Sequence, residues 1–249
     1  MTKYWDNICI LNLKKDKDRL NMCKKQLDSY KLKYCKCIEG VNGYDFVPYG
    51  KEISKTKTGT KKKRQLLSKM RKTLLSSKKI KKTNYRSLRI GEIGCNMSHL
   101  NTMKYALKKG YNKILILEDD VKLLPNFLEN MHQISTHIPN NCDILFLGLN
   151  KQNYKWGSFK KINKFINKPL GTKKYKGHSD SEGAIYGAHA YIINRKAMKE
   201  FIKYTEPMTY PADVTLGKIS TIFKKVNAYS VKNNLIETFN KGSNTMNIS

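Results

Sequence analysis

An α/β protein with a mostly parallel sheet flanked by helices is what this sequence predicts, and three stretches predict it. Ile114, Leu115, Ile116 and Leu117 form a short continuous apolar run, the pattern of a strand buried on both faces in the middle of such a sheet. Residues 7–13 (NICILNL) repeat that pattern and lead through a short polar loop into a helix, the opening unit of open α/β folds. Residues 143–148 (DILFLG) supply a further buried strand.

Taken in order, the strand at 7–13 is followed by loop 14–18 and an amphipathic helix marked by Leu20, Met22, Cys23 and Leu27. Residues 34–39 (YCKCIE) alternate well enough for a second strand. Residues 50–89 differ in kind, with sixteen basic residues and one acid, Glu52. Leu66, Leu67, Met70, Leu74 and Leu75 suit a basic amphipathic helix there. The rest reads as a mobile insertion, a solvated excursion between core elements, with an anionic-partner or acceptor flap as the alternative. Residues 90–109 form a long helix whose entry carries Gly91 and Gly94; these admit close backbone approach where the helix dipole favours an anion. Gly110 stops it before the strand at 114–117. A short helix is expected at 123–131, then the strand at 143–148. Residues 151–177, basic and aromatic, read as an irregular functional loop. Strand character resumes over 183–194 (GAIYGAHAYIIN), a helix follows at 195–204, and Asp213 opens another. Residues 225–231 are the last strand, and the tail from Lys232 reads as weakly ordered. The expected organisation is one domain over 1–235 with a basic insertion at about 50–89, then a polar tail over 236–249.

Lys and Arg total 49 against 19 Asp and Glu, a formal net charge of +30. Such an excess ordinarily points to nucleic acid or another acidic partner. Here only six of the basic residues are Arg, and Tyr85 is the lone aromatic within 50–89. Arg and interleaved aromatics are what base readout and strand stacking use, so nucleic acid is not the expected partner. No run reaches the length of a membrane span, and no secretory signal pattern opens the chain, so a cytoplasmic protein is expected. The six cysteines lack zinc-knuckle spacing and read as reduced thiols.

Chemistry concentrates after the strand at 114–117, where Glu118, Asp119 and Asp120 follow in succession. Ligands bind at the carboxyl ends of strands in open α/β sheets. Three like charges there call for something positive among them. A hard divalent cation, Mn²⁺ or Mg²⁺, holding a phosphorylated ligand answers that need. The plainer alternative is that Asp119 and Asp120 cap the next element. Asn12 and Arg19 lie on the loop and helix at the same sheet edge; a solvated loop residue and a surface helix residue are their plainer readings. His99 is read as a buried, hydrogen-bonded histidine more readily than as a catalyst, and Asp213 as an N-cap.

Five stretches in order, ILNLKKDKDRL (10–20), GEIGCNMSHL (91–100), ILILEDDV (114–121), YGAHAYIINRKAM (186–198) and YPADV (210–214), resemble glycosyltransferase family 25. The resemblance implies a GT-A type, Rossmann-like fold and inverting transfer of galactose, or glucose, from a UDP-sugar to a hydroxyl of a glycan or a hydroxylysine. It implies that Glu118, Asp119 and Asp120 hold Mn²⁺ against the diphosphate, with Asp120 and Glu118 as ligands. It places Asn12, Arg19, Ser98 and His99 near the donor. Inversion by direct displacement needs one carboxylate to take the acceptor proton. Asp213 is the first candidate, with Asp180 and Glu182 behind it. A nucleic-acid-binding protein and a catalytically silent structural member of the family are the alternatives. Asn96-Met97-Ser98 is a glycosylation sequon inside the site helix, a further reason to expect a cytoplasmic location.

Overall fold

Each central strand is apolar on both sides because it is covered on both sides. In β3 (Lys113–Glu118), Ile114 and Ile116 face one hydrophobic cluster while Leu115 and Leu117 face the other. The computed structural model describes residues 4–34, 37–81, 88–150, 157–173 and 182–239. Its main sheet also contains β1 (Asn7–Asn12), β2 (Ile38–Glu39), β5 (Ile144–Phe146), β6 (Gly157–Lys161), β7 (Ile166–Thr172), β8 (Ala190–Asn194) and β9 (Ala228–Val231). The order is β2-β1-β3-β8-β5-β9-β7-β6. The pairings make β2, β1, β3, β5, β9 and β6 point one way and β8 and β7 the other. The sheet is therefore predominantly codirectional, with β8 as an antiparallel insert between β3 and β5.

One face is covered by α5 (Ile90–Lys108), α7 (Arg195–Thr205) and α8 (Ala212–Thr221) through Leu100, Met103, Phe201 and Leu216. The opposite face is covered by α1 (Lys17–Ser29) and α6 (Phe127–Ser135) through Cys23, Leu27, Phe127 and Met131. No helix among the described residues is long and apolar enough to cross a membrane.

Several expectations need correction. The basic insertion is not a solvated excursion over its described part. It folds as α3 (Gly50–Lys55) and α4 (Lys61–Ser76), preceded by the short α2 (Gly43–Phe46). Val47, Ile53, Leu66, Met70, Leu74 and Ile80 close a third apolar cluster with Ile90, Ile93 and Met208. Leucines at helical spacing suffice to anchor α4 while its lysines stay in water. The stretch read as an irregular loop contains β6 and β7, a hairpin that extends the sheet; residues 151–156 and 174–181 lie outside the described residues. Residues 121–123, read as the approach to a helix, form β4 (Val121–Leu123), and the tail supplies its partner, β10 (Ile236–Thr238). Ile236 is completely buried, so the tail is part of the core at this point.

Gly94 serves a different approach from the one its helix-entry position suggests. A Cβ there would meet Val41 O at 2.5 Å and Gly43 N at 2.6 Å, so the glycine admits another backbone segment rather than an anion.

The packing of α4 sets a first prediction. Leu74 is 1% exposed, and Leu74→Ala should cost about 2–5 kcal/mol by cavity formation. Chemical denaturation reads this directly. A solvated segment would keep the change within about 0.5 kcal/mol.

Candidate active site

The carboxyl edge of the sheet collects the acids. Glu118 is the last residue of β3, and its backbone N–H donates to His189 O at 2.8 Å, tying it to the entry of β8. Asp119 and Asp120 occupy the turn between β3 and β4, and both are buried. The positive charge among them comes first from the chain itself. Arg19, in the first turns of α1, places one guanidinium nitrogen 2.8 Å from Asp119 Oδ1 and 2.7 Å from Asp120 Oδ2. Asn12, the last residue of β1, donates through Nδ2 to Asp119 Oδ2 at 2.6 Å and to the Asp16 carbonyl at 2.8 Å. Asn12, Arg19, Asp119 and Asp120 thus form one connected group, because β1 and β3 are parallel neighbours whose carboxyl ends coincide.

One guanidinium does not balance three carboxylates. Burial drives the Asp119 carboxyl up to about 6, against the Asn12 hydrogen bond and the Arg19 charge. Burial also raises Asp120, with Glu118 adding to the effect and Arg19 and His189 opposing it. Burial acts to raise Glu118 as well, but the approach of the His99 imidazole and the charges of His99, His189 and Arg19 outweigh it and hold that carboxyl below its ordinary value.

His99 stands behind Glu118. It is wholly buried in α5, with Nδ1 2.8 Å from the Tyr191 hydroxyl and Nε2 3.5 Å from Glu118 Oε1. Tyr191 is itself fully buried on β8, and burial first of all keeps its phenol protonated far above the usual range. Four buried polar atoms among these described residues lack a hydrogen-bond partner: Asp120 Oδ1, Arg19 Nε, His99 Nε2 and His189 Nε2. A buried polar atom left unpaired costs about 1–3 kcal/mol, which makes this end of the sheet a candidate ligand site.

Asp213 lies in the first turn of α8 and is not its N-cap, a position held by Pro211. Its Oδ1 accepts from Val214 N at 2.8 Å, and the Gly187 amide also donates to the carboxylate. Burial is the main cause that raises its pKa to about 6, with Glu118 and Glu92 contributing. Gly187 has φ +106, which brings the loop before β8 against this helix start.

The remaining expected site residues are placed elsewhere. Ser98 accepts from Val41 N at 2.8 Å and donates to Gly94 O at 2.8 Å, fastening α5 to the segment after β2. Glu182 follows the C-terminal half of α8: its carbonyl accepts from Lys218 Nζ, and the adjoining Gly183 packs on Thr221 and Ile222. No contact of its carboxylate with the acid group occurs among the described residues. Asp180 lies outside them. The sequon residue Asn96 is 0% exposed and donates to Tyr210 O at 2.7 Å, so a glycan on it is incompatible with this packing.

His189, Tyr191 and Cys95 were missed as site residues. His189 and Tyr191 sit in the apolar GAHAYIIN stretch, where only antiparallel pairing with β3 reveals that their end of the strand meets Glu118. Gly148 carried a signal too. A Cβ there would lie 2.4 Å from His189 Nε2 and 2.2 Å from Ile236 O, so the position must stay small for three segments to converge.

A sheet whose carboxyl edge gathers buried acids, an arginine and unpaired histidine nitrogens makes this an α/β protein with a candidate ligand site at that edge. Comparison with known proteins makes the class specific. The chain belongs to glycosyltransferase family 25 (LPS biosynthesis protein), whose family model matches residues 5–216. Among curated proteins it is similar to a procollagen lysyl hydroxylase and glycosyltransferase of Acanthamoeba polyphaga mimivirus. That match is 28% identical over 182 residues and covers 61% of this chain and 19% of the relative. A glycosyltransferase 25 family member of Drosophila melanogaster is 34% identical over 67 residues, covering 26% of this chain and 11% of that protein. The chain thus spans a fifth or less of either relative. Among solved structures, apo UDP-glucose pyrophosphorylase aligns over 92% of this chain and 90% of its own, with 10% identity and a TM-score of 0.43. A mannose-1-phosphate geranyltransferase from Thermus thermophilus aligns over 57% and 51%, with 9% identity and a TM-score of 0.30.

The raised Asp213 carboxyl carries a stability prediction. Its folded pKa of about 6 exceeds the ordinary 3.8, so the folded state binds the proton more tightly than the unfolded chain. The stability due to that proton is complete below pH 3.8 and is lost as pH rises through 6. Asp213→Asn, which keeps an acceptor for the two amides, should therefore raise stability by about 1–2 kcal/mol near pH 7.5 and by much less near pH 4. Thermal melts at the two pH values measure the difference.

Proposed function

We propose that the protein is a divalent-metal-dependent, inverting glycosyltransferase that moves galactose, or glucose, from a UDP-sugar to a hydroxyl acceptor. The observation that supports this most directly is the pair of unpartnered buried atoms at one corner of the acid group, Asp120 Oδ1 and Arg19 Nε. One is an acceptor suited to a hard cation, the other a donor suited to a phosphate oxygen. The upward shifts of Asp119 and Asp120 are compatible with this, since burial makes both carboxylates costly to ionise without a cation beside them.

Asp120 and Glu118 are the residues that would hold Mn²⁺ or Mg²⁺. Their all-oxygen donor set fits such an ion, which when bound supplies positive charge to the departing diphosphate. Arg19 adds a fixed positive charge beside the same group, and Asn12 holds Asp119 so that the guanidinium bridges both aspartates. The His99 imidazole approaches the Glu118 carboxylate, and the His189 carbonyl accepts from the Glu118 amide at the strand end. Asp213 is the base in this reading. Its carboxylate takes the acceptor hydroxyl proton as the hydroxyl oxygen bonds to the anomeric carbon and the bond from that carbon to the UDP oxygen breaks. The configuration inverts in that one displacement. A carboxylate with a pKa of about 6 is still ionised at neutral pH yet more basic than an ordinary aspartate, which suits it to the task.

The name of the mimivirus relative suggests a hydroxylysine in a collagen-like protein as one acceptor, and the description of the family suggests a lipopolysaccharide glycan as another. Hydroxylation is not part of this proposal.

Incubation with UDP-galactose or UDP-glucose, Mn²⁺ and an acceptor should release UDP. Asp120→Ala should reduce that release to background, and persistence of turnover would remove the metal assignment. Asp213→Asn should lower kcat by about 10²–10⁴-fold with little change in donor KM, as expected for loss of a general base.

A further inference from the structure

We propose that Cys95, His99 and Glu118 form a second cation site, of the softer kind that takes Zn²⁺ or Co²⁺. Cys95 and His99 are four residues apart on α5 and so share one face of the helix, and Glu118 ends the strand beneath it. The thiol, imidazole and carboxylate donor atoms all lie within 4.8 Å of one another. Sulfur, nitrogen and oxygen in one triad are the donor set of a three-ligand zinc site with an open fourth position. They differ in kind from the all-oxygen corner at Asp120.

His99 supplies the independent observation. It is 0% exposed, and its Nε2 is a buried atom without a hydrogen-bond partner, aimed at Glu118 across 3.5 Å. The other ring nitrogen meets the Tyr191 hydroxyl at 2.8 Å. That contact fixes the ring as the outer partners of metal-binding histidines do, and in the tautomer whose Nδ1–H donates to the Tyr191 oxygen, Nε2 carries the lone pair an ion needs. Cys95 and Glu118 are only partly covered, so an ion has a way in and both side chains can close on it. Burial together with Glu118 and Asp213 keeps the Cys95 thiol protonated in the ion's absence, and the same carboxylates provide the field that attracts a cation. On binding, the thiolate bonds to the ion, the thiol proton passes to solvent, and the imidazole binds in its neutral form. The site is independent of the transferase reading, except that Glu118 is common to both cation positions.

The test is titration of the full, chelator-stripped chain with Co²⁺. A single equivalent should produce a thiolate-to-cobalt charge-transfer band that Zn²⁺ abolishes. Cys95→Ser should remove the band, with circular dichroism confirming an unchanged fold, and Tyr191→Phe should weaken binding by about tenfold. On the unmodified protein, Zn²⁺ should protect Cys95 from iodoacetamide, read by mass spectrometry of its peptide. Absence of the band, its survival in Cys95→Ser, or alkylation of Cys95 unaffected by Zn²⁺ would each overturn the site. These readouts need no donor sugar, so a failure here is distinct from a failure to find transferase activity.

Discussion

The bridge from Arg19 to both Asp119 and Asp120 is the constraint around which this molecule is arranged. The turn after β3 must bury two carboxylates next to a third, and without a cation the cost would exceed what the apolar strand before them supplies. Arg19 meets part of that need because α1 begins one short loop after β1, and β1 lies parallel to β3. Asn12 completes the bridge from the strand end itself. Burial still raises the pKa values of Asp119 and Asp120 despite the guanidinium between them, so their ionised forms carry a desolvation cost that Arg19 only partly offsets.

What the sequence revealed follows from how local the relevant signals are. The apolar runs identified β1, β3 and β5, and the strand–loop–helix order brought Asn12 and Arg19 to the edge where the acids lie. His99 was visible as a buried histidine, though not its partner. Tyr191 and His189 lie in a run that reads as plain strand, and their role arises from antiparallel register with β3, a long-range property without a local signature. Cys95 was hidden in the same way by its helix. The hairpin β6–β7 was obscured by its lysines and by β7's Pro169, Gly171 and Thr172, buried positions that do not read as a strand's apolar pattern. In the basic segment the well-spaced leucines and Met70 made α4 legible, while α3 and the packing of both helices into the third cluster were masked by charge.

Two faces of α5 divide structure from chemistry. Gly94, Asn96 and Ser98 lock the helix to neighbouring backbone at Val41, Gly43 and Tyr210. Cys95 and His99, interleaved with them in sequence, turn toward Glu118. This explains why a motif dense in small and polar residues is helical and mostly buried. Half of its polar groups hold the helix in place, and the other half meet the acid cluster.

The ladder of β10 on β4 reaches further than its three residues suggest. Just past it, the Phe239 N–H donates to the Asp120 carbonyl at 2.8 Å, and Leu235 N donates to Leu147 O at 2.8 Å. A residue encoded more than a hundred positions downstream thus steadies the backbone of the central acid. Loss of β10 would therefore take away both the partner strand of β4 and the amide that holds the Asp120 carbonyl, loosening the acid turn without removing any strand of the eight-stranded sheet.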